Sequence, residues 1–249
     1  MKVTVIPYAP KAIQQHKLKM GPHGVHGPVE VPFDIDFFGK VYHQLWIAGY
    51  GCLLFEELKH LSGLSNITKL PRDDGKETEI GPAFCPLWEA MQAGACETDM
   101  AYEVQDRAIG IQWNDVAISG AVYMKNSFQA WIYSNGVMEA YYDKIYVRGI
   151  NDESSLLNGV IGAIDHTRKR GVTVSDLIGT GSVEKVALRF EPEESDFIDQ
   201  GTQSKPVVDP LEALTPKEVK IADGDIVERT VYIPLNAGGA DLKIRRIES

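Results

Sequence analysis

The stretch DIDFFGKVYHQLWIAGYGCLLFEELKHLS, residues 34–62, decides how the first half of the chain is read. Phe38, Val41, Leu45, Ala48, Cys52 and Phe55 recur at three- and four-residue spacing, the period of one helical face. Asp34 or Asp36 is placed to cap the start, and Lys59 and His60 stand just before Gly63, as a helix C-terminus prefers. Apolar residues wrap most of the circumference, which implies burial on several sides. Gly49 and Gly51 are the points at which this helix would break in two.

Before this stretch, KVTVIPY alternates as a strand and is stopped by Pro7 and Pro10. Pro10 then suits the first turn of a short helix in which Ile13, Lys17 and Met20 share a face until Gly21. After it, Pro86 opens a second long helix, with Leu87, Met91, Ala95 and Tyr102 on one side, ending near Asp106. The period then changes to two. AIGIQW, VAISGAVYM, SFQAWIY and VMEAYYDKIYVR are separated by Asn114-Asp115, Lys125-Asn126 and Asn135-Gly136, which predicts an antiparallel meander near 108–148. NDESSLLNGVIGAIDHTRKRG follows, with Asn151 or Asp152 as cap, Leu157, Val160, Ile161 and Ile164 on one face, and Arg168, Lys169 and Arg170 before Gly171. This reads as an amphipathic helix over 153–170. Strands around VEKVALRF, EVKIA, IVERTVYI and LKIRRI complete the chain.

Helices early and strands late give an α+β class. The expected architecture is a helical N-terminal half packed on a mainly antiparallel sheet. Residues 1–106 form the mainly helical part with an extended N-terminal arm and residues 107–249 the β-rich part, either as two units or as one continuous domain.

The chain has 249 residues, 44% hydrophobic and 24% charged, so it can bury a full core. A net charge of -10 argues against nucleic acid, whose phosphates need clustered Lys and Arg. Much of that charge falls in residues 191–225, where ten acids face Lys205, Lys217 and Lys220, the pattern of a solvated loop. The longest apolar run, LWIAGYGCLLF at 45–55, has 11 residues, short of the roughly 18–20 that span a bilayer. No secretory signal is legible at the start. Cys52, Cys85 and Cys96 form neither an even framework nor a CxxC pair, which fits a reducing compartment. The expectation is a protein that is neither secreted nor membrane-bound, located in the cytoplasm or a virion.

GPHGVHGPV, residues 21–29, is three Gly-x-y triplets carrying His23 and His26. In a polyproline II conformation the two histidines share a face but stand roughly 9 Å apart, at about 3.1 Å per residue. Zinc needs nitrogens about 2 Å from one ion, so chelation requires the glycines to fold and further ligands such as His43, Glu30 or Asp34 to arrive. The preferred reading is a connecting arm, with His23 and His26 kept as candidate metal ligands. Glu57 and His60 have the E-x-x-H spacing of di-iron bundles, but no second motif exists. Cys85, before Pro86 at the predicted helix start, reads as a buried structural thiol rather than a nucleophile. Gly179-Thr180-Gly181-Ser182 lacks the G-K-[ST] of a phosphate loop and reads as a turn. On the strand from Met138 to Arg148, strict alternation puts Tyr142, Lys144, Tyr146 and Arg148 on one face, a candidate partner-binding surface.

No convergent catalytic set emerges, no cofactor is identified, and Gly/Pro arms such as GPHGVHGPVEVP suit wrapping a neighbour. The function expected is therefore an assembly subunit of a larger homo-oligomer, with a viral or phage virion component as one form. The alternative is a metal-dependent enzyme acting on a small molecule through His23 and His26.

Overall fold

The expected first strand is present as β1 (Lys2–Ile6). The helix expected over 10–20 is not; β2 (His16–Leu18) occupies part of it. Residues 34–54 are strands too, and local chemistry shows why. In β3 (Val25–Phe37), Asp34 and Asp36 alternate with buried Ile35 and Phe37, the two-residue period of a half-buried strand. The chain reverses into β4 (Lys40–Ala48) through Phe38 and Gly39, whose φ angles of 51° and 77° are those of a primed hairpin turn. Asp36 Oδ1 accepts from the Gly39 amide at 3.1 Å. The residue read as a helix cap closes a hairpin instead.

Along β4, Leu45 and Ile47 enter one apolar layer while Trp46 and Ala48 enter another. A strand covered on both faces is a continuous apolar run, which periodicity does not separate from a buried helix. Gly49 to Gly51 turn the chain into β5 (Cys52–Leu54). Gly51 has φ 77°, and a Cβ there would lie 2.1 Å from the Leu87 carbonyl oxygen, so no other residue fits.

The second expected helix is replaced by β6 (Ala83–Trp88), β7 (Met91–Gln92) and β8 (Asp99–Gln105). An antiparallel meander is present, but with three strands rather than four. The turns expected at Asn114-Asp115 and Lys125-Asn126 lie inside β9 (Ala108–Ile118) and β10 (Ala121–Tyr133), where the β9–β10 register shifts, so VAISGAVYM is divided between these two strands. Only the Asn135-Gly136 turn leads as expected into β11 (Met138–Val147). Of the helix expected over 153–170, residues 153–159 lie outside the described residues. Val160–Ile164 form β12, a turn spans 165–170, and β13 (Gly171–Ile178) returns. Val160 and Ile164 enter one apolar layer, Ile161 and Ala163 the other, again a strand covered twice. Asp165 builds that turn, its Oδ1 accepting from the amides of Lys169 (3.3 Å) and Arg170 (3.2 Å). The last strands are β14 (Gly181–Glu191), β15 (Ile226–Ile233) and β16 (Ala240–Ile247), while the strand expected near EVKIA lies outside the described residues.

This computed structural model describes residues 1–13, 15–20, 24–58, 70–71, 80–89, 91–92, 99–118, 121–147, 160–178, 181–193, 226–233 and 240–247. No helix occurs among the described residues, so the α+β class with a helical N-terminal half gives way to an all-β architecture of two antiparallel sheets. Sheet A has the order β1-β14-β11-β10-β9-β8-β2, with β7 also on β9; sheet B has the order β15-β16-β13-β12-β6-β5-β4-β3. No described helix is long and apolar enough to cross a membrane.

The sheets pack face to face through one apolar cluster drawn from both, including Ile35, Leu45, Phe84 and Ile161 of sheet B and Ile109, Trp113, Tyr142 and Phe190 of sheet A. Phe84 meets Phe190 edge-on at 5.1 Å. Among the described residues two hydrogen bonds cross the core: Trp113 Nε1 donates to the Ala48 carbonyl (3.2 Å) and Tyr142 Oη to the Pro86 carbonyl (2.6 Å). Each satisfies a polar group that burial would otherwise penalise. Smaller apolar layers cover the outer faces, one on sheet B around Trp46, Cys52, Cys85 and Trp88, and one on sheet A around Ile13, Trp131 and Tyr141.

Candidate interaction surface

The outer face of sheet A is built by alternation. The residues between the core-facing positions of β10, β11 and β14 point away from the core: Gln129, Trp131 and Tyr133, then Glu139, Tyr141 and Asp143, then Lys185, Ala187 and Arg189. Register aligns them in rows, Trp131 with Glu139 and Arg189, and Gln129 with Tyr141 and Ala187. Beside Trp131 stands Gly110 of β9. A Cβ on Gly110 would lie 2.5 Å from the indole, so the glycine lets the ring lie flat on the sheet.

Glu139 is the electrostatic centre, with only 3% of its surface exposed. Its Oε1 accepts from Arg189 Nε (3.0 Å) and Nη2 (2.7 Å), and its Oε2 from Tyr133 Oη (2.6 Å) and Tyr141 Oη (2.7 Å). Burial pushes the carboxyl up, but the bonds from both tyrosines and Arg189, with the guanidinium charge, outweigh it and hold Glu139 below its ordinary range. Burial pushes both tyrosines above their ordinary value, and the bond each donates to Glu139 adds to that. Next along β11, Asp143 pairs with Lys185 and accepts from Tyr8 Oη (3.0 Å). The Lys185 bond is the main reason that its carboxyl is held low.

Over this face runs an extended segment of the same chain, Pro7 to Ile13. Tyr8 meets Tyr141 edge-on at 6.4 Å and lies under Lys185 Nζ at 5.1 Å. Lys11 Nζ sits 4.7 Å from the Trp131 ring and 4.9 Å from the Tyr133 ring, and donates to Tyr133 Oη at 2.8 Å. Gln129 Nε2 donates to the Lys11 carbonyl (2.8 Å), and Ile13 is buried at the far end. Trp131 Nε1 and Gln129 Oε1 are buried there without a hydrogen-bond partner. The strap is thus gripped by aromatic rings, a side-chain amide and charge. This is the chemistry of a peptide-recognition surface.

The residues singled out from sequence fall elsewhere. Relative to β10, strand β11 carries an extra residue at Asp143: Phe128 pairs with Tyr142, and the next position, Ser127, with Lys144. This bulge reverses the alternation, so that Tyr142 and Ile145 both enter the core. Lys144 and Tyr146 stay partly exposed, with Lys144 Nζ 5.3 Å from the Tyr146 ring and 3.2 Å from Glu184 Oε1. Tyr142 is therefore parted from Lys144 and Tyr146, and Arg148 lies outside the described residues. His23 also lies outside them. His26 packs against the Tyr102 ring at 5.6 Å, with His16 stacked on the same ring at 4.6 Å, and His43 faces Asp34 across 3.3 Å. Among the described residues no three His, Cys, Asp or Glu side chains are close enough together to hold a metal ion. Cys85 is a fully buried β6 residue, not the first residue of a helix. Sequence reasoning passed over Glu139, Tyr141 and Asp143, although their alternation with Met138, Ala140 and Tyr142 is visible. Nothing local in the sequence links them to Tyr8 or Lys11.

A family model described as NIDO related matches residues 7–184, from the strap to the first residues of β14. No curated protein and no solved structure matches the chain.

Proposed function

The chain belongs to the NIDO-related family, and from that premise we propose that it is a non-catalytic assembly module in which the outer face of sheet A receives an extended segment of a neighbouring copy. The observation that carries this reading is the strap. The face already grips Tyr8 and Lys11 through Trp131, Tyr133, Gln129 and Asp143. The same contacts are available to the same segment of a second copy, so exchange forms two equivalent interfaces at little cost beyond association. Among the described residues, β1, which leads into the strap, pairs only with β14 at the edge of sheet A and can travel with it. The net charge of -10 opposes association at low ionic strength, and salt screening relieves it.

The test mixes two variants of the full chain, one carrying Tyr8→Cys and the other Lys185→Cys, and oxidises the mixture. Exchange gives a disulfide-linked pair of the two variants, increasing with protein concentration and with salt. If the double variant closes its bond within one chain while the mixed single variants never cross-link, the strap is purely internal and the proposal fails.

A further inference from the structure

On the outer face of sheet B, two cysteines oppose each other. β5 and β6 pair Leu54 with Ala83 and Leu53 with Phe84, and one step further along this register Cys52 faces Cys85. Phe55 donates to the Pro82 carbonyl at 3.0 Å, so residues 55 and 82 form a hydrogen-bonded pair. By the alternation of antiparallel ladders, 53 with 84 is another, and 52 with 85 falls at a non-hydrogen-bonded position. Cα atoms at such positions are about 4.5 Å apart, inside the range of roughly 4.4–6.8 Å that a disulfide spans. Both thiols sit in one apolar layer with Trp46, Trp88 and Val160, and Cys85 is close enough to act on the Cys52 thiol. Both are present as free thiols.

We propose that Cys52 and Cys85 are a cross-strand disulfide site, closed by exchange with a low-molecular-weight disulfide. One thiolate attacks the small disulfide, forming a mixed disulfide and releasing one small thiol. The second cysteine then attacks the first cysteine's sulfur, forming the Cys52–Cys85 bond and releasing the other small thiol. The two protein thiols lose two protons and two electrons, and the small disulfide takes up both. Burial, and next the influence of Cys85, push the Cys52 thiol well up, which makes it a poor nucleophile in the folded chain, and both thiols are closed off from solvent. Exchange therefore belongs to the folding chain or to transient opening of β5 from β6. The bond ties together the two ends of the 53–84 segment, which includes the turn from β5 and the return into β6.

The experiment refolds the full chain over a series of oxidised to reduced glutathione ratios. Remaining thiols are then blocked under denaturing conditions and the peptides mapped by mass. Expected is a Cys52-to-Cys85 linkage with Cys96 blocked or glutathionylated, and a thermal midpoint higher than that of the reduced chain by roughly 5–15 °C. In a Cys52→Ala variant the midpoint should not depend on the glutathione ratio. The proposal is overturned if Cys52 and Cys85 are both blocked at every ratio, if either links to Cys96 instead, or if the linked form melts lower than the reduced form.

Discussion

At Glu139 a single side chain sets two limits on stability. Its folded carboxyl titrates below the ordinary 4.5, so its contribution is complete above that value and is lost as the pH falls through the lower folded one. Tyr133 and Tyr141 are pushed above the ordinary 10.0, so theirs is complete below it and is lost as the pH rises beyond. Denaturant unfolding across pH should show a plateau between these limits. Glu139→Gln should cost about 1–3 kcal/mol at neutral pH, towards the lower end because Arg189 reaches solvent, and should flatten the acid limb. An unchanged acid limb would assign it to other carboxylates. At Gly110 the argument is steric: a methyl placed 2.5 Å from the Trp131 ring must displace it, and Gly110→Ala should lower stability by about 1–3 kcal/mol in the same measurement.

Among the elements, β6 of sheet B and β11 of sheet A are tied across the core by one hydrogen bond. Pro86 donates no amide to the β5 ladder, yet its carbonyl accepts from Tyr142 across the core. Tyr142→Phe leaves that carbonyl buried without its partner, an expected loss of about 1–3 kcal/mol at almost unchanged volume. Wild-type stability in this variant would mean that the carbonyl finds another donor. The bulge at Asp143 does more than bend β11. It keeps Ile145 in the core and turns Lys144 outward, which is why an alternation argument grouped Tyr142 with Lys144 and Tyr146. A bulge has no reliable signature in residue type, since an ordinary aspartate occupies it here.

For the whole molecule, sheet order joins sequence-distant strands: β1 lies against β14 and β6 against β12. Such pairings pay loop-closure entropy before they are rewarded, so refolding followed by stopped-flow fluorescence should take milliseconds to seconds or longer. A microsecond phase carrying the full amplitude would contradict this topology. Raising ionic strength should raise the unfolding midpoint modestly, because a chain of net charge -10 repels itself when compact.

What the sequence determined by itself was the local and one-sided part. The Asn135-Gly136 hairpin, the alternating runs of β1, β11 and β14, and parts of β9 and β10 were legible, because the two faces of these strands carry different kinds of residue and so print a period of two in the residue order. The tertiary structure decided the rest. β4 and β12 read as helix because they are apolar on both faces, and that pattern becomes a strand only when a layer covers each side. The strap, the Glu139 cluster and the cysteine pair were equally invisible, because each joins residues whose proximity depends on strand order and register rather than on neighbouring letters.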